Sequence, residues 1–329
     1  MRARIVWLVL HNLVRVHLVQ SQPCGCGSDT SRLPPQLVSL DLGLFGKPRG
    51  KKTSSGASPY ESPLVQRGVL SGIVIDVGAN DGNDFTLPAL RNGYRVLTFE
   101  PLTQHINSIL SQAYMLVPHN KTTNTKPLKQ VIVQPGSSLS PELHALVDDL
   151  VIGSGAGLAI FNAVASSTAA SAPIFIPKHS GAGSPMATMS DTNMPYGPSR
   201  THKAEAQLLK VVAAVTLDDV VRHGSYGRGP KVGLLKLDAQ GHELHILSGA
   251  TRLLCEPNSP EFVQLEFVPR LISNMARDKA RYRRGAPLNV LSTLQESGRF
   301  CFHDFNSPLN ISNSTKGFVS FPEFVALHK

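Results

Sequence analysis

The chain has 329 residues, of which 41% are hydrophobic and 17% charged, enough to bury the core of one domain of about 250 residues with appendages. Its net charge of +9 gathers partly in residues 47–52 and 277–284; solvated linker and helix faces compete there with attraction of an anionic substrate, and the lack of any aromatic-rich basic stripe speaks against a nucleic-acid partner. The four cysteines, Cys24, Cys26, Cys255 and Cys301, show no metal-site spacing; Cys24 and Cys26 stand too close for an easy mutual bridge, and Cys255 and Cys301 read as buried thiols.

In chain order, Arg2 and Arg4 precede an apolar stretch over residues 5–10, which continues less cleanly to Val19 through His11, Asn12, Arg15 and His17. Val19 and Ser21 form a small-residue pattern that allows cleavage before Gln22. Residues 1–21 therefore read as a signal peptide or signal anchor, too short and too polar for a secure membrane span. That reading places the protein in the secretory pathway, with a membrane tether through the N-terminus if the segment is retained. An organelle transit peptide is the rival, because Arg4, His11 and Arg15 share a helical face and no acidic residue precedes Asp29. Sequons at Asn120, Asn310 and Asn313 fit a lumenal chain. Residues 22–68 are dense in Pro, Gly, Ser and Lys, cannot form a core of their own, and read as a linker with one apolar cluster at 37–45. The domain proper is expected over residues 69–329.

Residues 73–101 carry the strongest signal. Ile73, Val74 and Ile75 lack polar alternation, as expected of a parallel strand buried on both faces. Gly78 and Gly82 permit a tight turn at the strand's carboxyl end, a helix is expected from about Asp84 to Arg91, and a second strand ends at Glu100. Glu100 falls about twenty residues after the glycines, where a doubly wound fold offers a carboxylate to ribose hydroxyls. A dinucleotide fingerprint in frame from Gly78 needs glycine at 80 and 83, but Asn80 and Asn83 stand there. The wider polar turn suits a cofactor without a pyrophosphate, such as S-adenosyl-L-methionine, better than NAD.

Farther on, strands are expected over residues 173–177 and 208–215, separated by an irregular insertion at about 178–207. Gly, Pro and Met recur in that insertion without a period, which reads as a flap over the substrate side. Residues 232–237 form another apolar strand, followed by Asp238-Ala-Gln-Gly-His-Glu and a helix, and residues 262–268 form a strand carrying Glu266. Residues 299–305 and 324–329 read as two short closing strands, with His303 and His328 as strand-end residues.

The order of these blocks, with Phe161-Asn-Ala-Val-Ala between them and Thr216-Leu-Asp-Asp-Val before the Lys236-Leu-Asp strand end, resembles the FkbM-type family of S-adenosylmethionine-dependent methyltransferases over residues 73–266. The resemblance implies an α/β, Rossmann-like class I methyltransferase fold with a seven-stranded, mostly parallel sheet of order 3-2-1-4-5-7-6 and helices on both faces. It implies methyl transfer to a hydroxyl oxygen of a sugar, glycan or secondary metabolite, with Asp76, Gly78, Asn80, Gly82 and Glu100 holding S-adenosyl-L-methionine. The family generally reads Asp-x-Glu-Gly where this chain has Gln240, a neutral amide that keeps the hydrogen-bonding shape and loses a charge.

Candidates for the catalytic groups are Asp238, His242 and Glu266, since ligands of open α/β sheets collect at the carboxyl ends of the strands. Asp238 is expected to position the acceptor. His242 is expected to act as base, because an unperturbed imidazole titrates near neutral pH. The bland alternative is that Asp238 merely caps the following helix. Magnesium between Asp238 and Glu266 is chemically permitted, but no metal ligands are assigned. An NAD(P)-dependent oxidoreductase and a catalytically silent cofactor-binding domain are the other classes; Gln240 is the only direct support for the latter.

Overall fold

The computed structural model describes residues 13–21, 36–43, 65, 70–116, 128–137, 139–152, 155–178, 187–189, 206–221, 231–255, 260–267, 269–275, 289–290, 293–294, 301–304 and 318–319. The sequons, both basic clusters, the cysteine side chains, His328 and the strand expected at 324–329 lie outside the described residues.

In chain order the elements open with β1 (Leu13–Ser21), β2 (Gln36–Gly43), β3 (Ile73–Val77), α1 (Thr86–Arg91), β4 (Arg95–Phe99) and α2 (Thr103–Leu116). Next come β5 (Leu128–Val131), α3 (Pro141–Ile152), β6 (Gly157–Phe161), β7 (Ala163–Ala165), β8 (Ala170–Pro177), β9 (Ala206–Val215) and α4 (Leu217–Val220). The chain then forms β10 (Val232–Leu237), α5 (Glu243–Ser248), α6 (Thr251–Cys255), β11 (Phe262–Phe267), α7 (Pro269–Met275), β12 (Cys301–Asp304) and β13 (Phe318–Val319).

Six of the strands form a parallel sheet in the order β11-β10-β3-β4-β6-β5. Every residue of β3, β6 and β10 is buried, which explains why these runs lack polar alternation. Successive side chains of a strand point to opposite faces, and the core divides accordingly. Ile73, Ile75, Leu97, Phe99 and Leu235 pack with Val147 of α3, Ile246 of α5 and Leu254 of α6. Val74, Val96, Ile160 and Leu234 pack with Leu87 and Leu90 of α1 and with Ile106 and Ile109 of α2. Helices thus cover both faces, the doubly wound arrangement expected from the sequence.

The edges differ from the expected order. β6 neighbours β4, and β5 adds one more parallel strand outside it. Beyond β11 the order runs β1-β2-β12-β13, with β1 antiparallel to both β11 and β2. The N-terminal pair therefore stands where the C-terminal antiparallel strands were expected, and β12 and β13 lie farther out. The physical reason is legible in hindsight. Val14, Val16 and Leu18 alternate with Arg15 and His17, and Val38, Leu40 and Leu42 alternate with Ser39 and Asp41, a period of two that favours strands.

A second sheet, missed in the sequence, orders β7-β9-β8. Val164, Ala172, Ile174, Val212 and Ala214 form its small core with Leu102. Within the insertion, Thr188 exchanges two backbone hydrogen bonds with Phe175 of β8, at 2.7 and 2.9 Å.

Candidate active site

A cavity of about 400 Å³ opens at the carboxyl ends of β3, β4, β10 and β11, within the size range of small-molecule sites. The turn after β3, the start of the segment after β4, the β10–α5 loop and Glu266 line one side. Ala163–Ala165, Ile174 and Ala187–Met189 line the other. Of the insertion, Ala187–Met189 thus contribute to the cavity wall.

Gly78 fixes the first turn. Its φ is +75°, and a Cβ there would lie 1.9 Å from the Asp238 carbonyl oxygen, so the β3 turn and the β10 loop approach as closely as only glycine allows. Asn80 adopts φ 54°, a left-handed conformation that asparagine tolerates better than most residues. Its backbone N–H donates to Glu100 Oε2 at 2.8 Å, while the Leu102 N–H donates to Oε1 at 2.8 Å and His105 Nδ1 lies 3.4 Å from the same oxygen. The buried Glu100 carboxylate is thereby held rigidly at the cavity wall. Its oxygens retain lone-pair capacity, since an ionised carboxylate offers about four acceptor sites.

Of the five residues expected to hold a cofactor, Gly78, Asn80 and Glu100 line the cavity, whereas Asp76 and Gly82 do not. Asp76 lies on the α1 face of β3, the face of Val74. There its Oδ2 accepts from the Thr86 hydroxyl at 2.7 Å and its Oδ1 lies 3.1 Å from Lys236 Nζ. Gly82, at φ +77°, closes the turn against Ile109. Both are structural supports of the site.

Lys236 was read in the sequence only as part of a strand end and given no role, though a single cation inside an apolar strand is a signal: burying an ammonium is costly unless it is paired. Its Nζ donates to the Gly78 carbonyl at 2.7 Å and the Val77 carbonyl at 3.3 Å, lies 3.8 Å from Asp238 Oδ2, and sits over the Phe85 ring at 5.6 Å. It ties the glycine turn to β10. Asp84 also lines the cavity and was passed over in the sequence; Ser166 lies off the cavity and meets the site only through the His242 ring.

Asp238, His242 and Glu266 all line the cavity, as expected. Gln240 joins two of them: its Nε2 donates to Asp238 Oδ1 at 3.0 Å and to Glu266 Oε2 at 2.8 Å. Asp238 does not cap α5; the N-cap is His242, with no side-chain cap bond.

The expectation for His242 as base requires correction. The ring is buried, its Nε2 lies 3.0 Å from Ser166 Oγ, and it packs edge-on against His245 at 4.6 Å. Burial, with a smaller contribution from His245, pushes its pKa down to about 3. An imidazole so shifted is neutral at physiological pH and a poor proton acceptor.

The fold and the site together define a Rossmann-like α/β enzyme domain with its crevice at the strand ends. The methyltransferase FkbM domain family matches residues 76–277, and the chain belongs to that family of methyltransferases. Neither a curated protein nor a solved structure gives a significant match to the chain.

Proposed function

We propose that the protein is an S-adenosyl-L-methionine-dependent O-methyltransferase whose acceptor is a hydroxyl of a sugar, glycan or other small metabolite. The observation that carries this reading is the charge of the cavity wall. Four carboxylates line it, from Asp84, Glu100, Asp238 and Glu266, against one ammonium, Lys236, which is already engaged with Asp76 and the Gly78 carbonyl. Such a wall favours a sulfonium and an ammonium and opposes the doubly anionic pyrophosphate of NAD. The donor set therefore fits S-adenosylmethionine. Glu100 would accept from its ribose hydroxyls, and the Gly78–Asn80 turn would flank it.

When bound, that cofactor supplies a methyl group already activated by its sulfonium. The chain's own residues then have two tasks, to orient the acceptor and to take up its proton. Both Asp238 oxygens face named groups, Gln240 and Lys236, which suits a positioning role. Glu266 is the residue to which we assign the proton. Glu266→Gln is expected to lower turnover by about 10² or more with cofactor affinity nearly intact. The secretory lumen remains our proposed location, supported by the Arg-flanked apolar start and the three sequons; an endoglycosidase shift of the native protein tests it.

Calorimetry of the folded protein against S-adenosylmethionine and NAD tests the reading without knowledge of the acceptor. Binding of the first alone is expected. Binding of NAD alone would replace the reading with an oxidoreductase.

A further inference from the structure

We propose that Gln240 is a positioning residue, its amide nitrogen standing between the carboxylates of Asp238 and Glu266 in the place that a proton or a cation would otherwise take. The inference rests on the methyl-transfer reading only for what the two carboxylates do; the geometry stands apart from it.

An amide nitrogen carries two hydrogens and accepts none. Here both are directed at carboxylate oxygens, at 3.0 Å to Asp238 and 2.8 Å to Glu266. Hydrogen bonds to an ionised acceptor are the stronger kind, so one neutral group stabilises two negative charges together. The backbone is bent to achieve this. Gln240 has φ 53° and Gly241 φ 101°, and the N–H groups on either side, of Ala239 and Gly241, both donate to Glu243 Oε1 at 3.1 Å. Glu243 thus pins the loop in a conformation that a non-glycine residue rarely adopts. The strained residue is the one whose side chain bridges the carboxylates.

Other charged and titratable residues stand on the elements next to the pair. Asp76 and Lys236 lie on neighbouring strands, His242 and Glu243 stand at the start of α5, and Arg15 is the register partner of Glu266 on β1. All of these are present in every variant at 240, so each variant's pH profile is read as its difference from the wild type.

The test compares Gln240→Glu and Gln240→Leu with the wild type, each confirmed as folded by circular dichroism. Melting temperature is followed from about pH 3 to about pH 6, the range over which ordinary carboxylates ionise, with and without Mn²⁺. Wild-type melting is expected to ignore Mn²⁺. Gln240→Glu places a third carboxylate between the two, so its deficit grows as pH rises. Mn²⁺ restores it, binding at least about tenfold tighter than to the wild type because hard oxygen ligands suit the ion. Gln240→Leu removes the donor without adding charge; its deficit also grows with pH. If Gln240→Glu does not fold, the leucine variant decides. A deficit that is independent of pH, or Gln240→Glu melting untouched by Mn²⁺, makes Gln240 a structural residue and overturns the proposal. None of these readouts requires turnover, so failure of the methyl-transfer reading would show separately, in the calorimetry.

Discussion

Two adjacent residues at the start of α5 carry opposite pH signatures. Burial raises the Glu243 carboxyl from 4.5 to about 7, against the pull of three backbone hydrogen bonds. Its native form therefore binds a proton that the unfolded chain lacks between those values, and stability falls as pH rises through that window. A shift of that size is worth on the order of 3 kcal/mol. His242 runs the other way. With its pKa lowered from 6.5 to about 3, the unfolded chain binds the extra proton, so its contribution is present above 6.5 and lost as pH falls toward 3. Between 4.5 and 6.5 the two slopes oppose one another. Glu243→Gln is expected to melt near the wild type at about pH 5 and above it at about pH 8. Its amide oxygen can still accept from Ala239 and Gly241, while the buried Glu243 Oε2, which has no hydrogen-bond partner, is replaced. Thermal denaturation across pH checks this, and His242→Ala should flatten the acid limb whatever offset its cavity adds. Glu100 provides the residue-scale test of cofactor binding. Glu100→Ala should weaken S-adenosylmethionine by about 1.5–3 kcal/mol, the range for a charged hydrogen bond; unchanged calorimetric affinity in a folded variant would remove it from the pocket.

At the scale of elements, the two strand-end turns meet at Gly78, and the consequences of crowding them can be separated from those of crowding Gly82. Gly78→Ala forces a methyl group against the Asp238 backbone in a left-handed conformation. It should cost more than about 2 kcal/mol and also weaken cofactor binding, because both loops line the cavity. Gly82→Ala meets the Ile109 side chain, whose Cγ1 would lie 2.9 Å away. That chain can yield, and Gly82 lies off the cavity, so stability should drop with little change in affinity. Equal losses of affinity would show that the turn works as a unit. What the sequence made legible follows the same division. The buried strands and the glycine turn were plain because apolar runs and φ-permissive residues act locally. Strands β8 and β9 were visible as segments, but their assembly into a separate sheet with β7 was not, since pairing across residues 178–205 leaves no periodic trace. The low proton affinity of His242 was equally hidden: residue type gives the unperturbed value, and it is burial, with a smaller contribution from His245, that lowers it.

For the whole molecule, the least expected feature is the edge of the sheet. Of the six parallel strands, β3, β4, β10 and β11 were foreseen from local patterns, whereas β5 and β6 were not singled out. The partner of β11 depends on which segment returns to cover an exposed edge, and composition read residues 1–21 as a targeting segment. In the structure Val14 to His17 pair in register with Phe267 to Gln264, and β2 continues the sheet beyond them. An uncovered edge strand offers unpaired N–H and C=O groups to any other chain. Cleavage before Gln22 and a β1 in the sheet exclude one another in a single molecule, so one comparison decides between them. A protein beginning at Gln22 is expected to melt several degrees below the full chain, because a loss of about 1 kcal/mol lowers the midpoint by roughly 2–4 °C at this size. It is also expected to self-associate through the bared β11 edge, as light scattering would detect. Should the shortened protein instead melt with the full chain and stay monomeric, β1 adds nothing to the sheet, and residues 1–21 are left for the targeting role that Arg2, Arg4 and the apolar run of residues 5–10 first indicated.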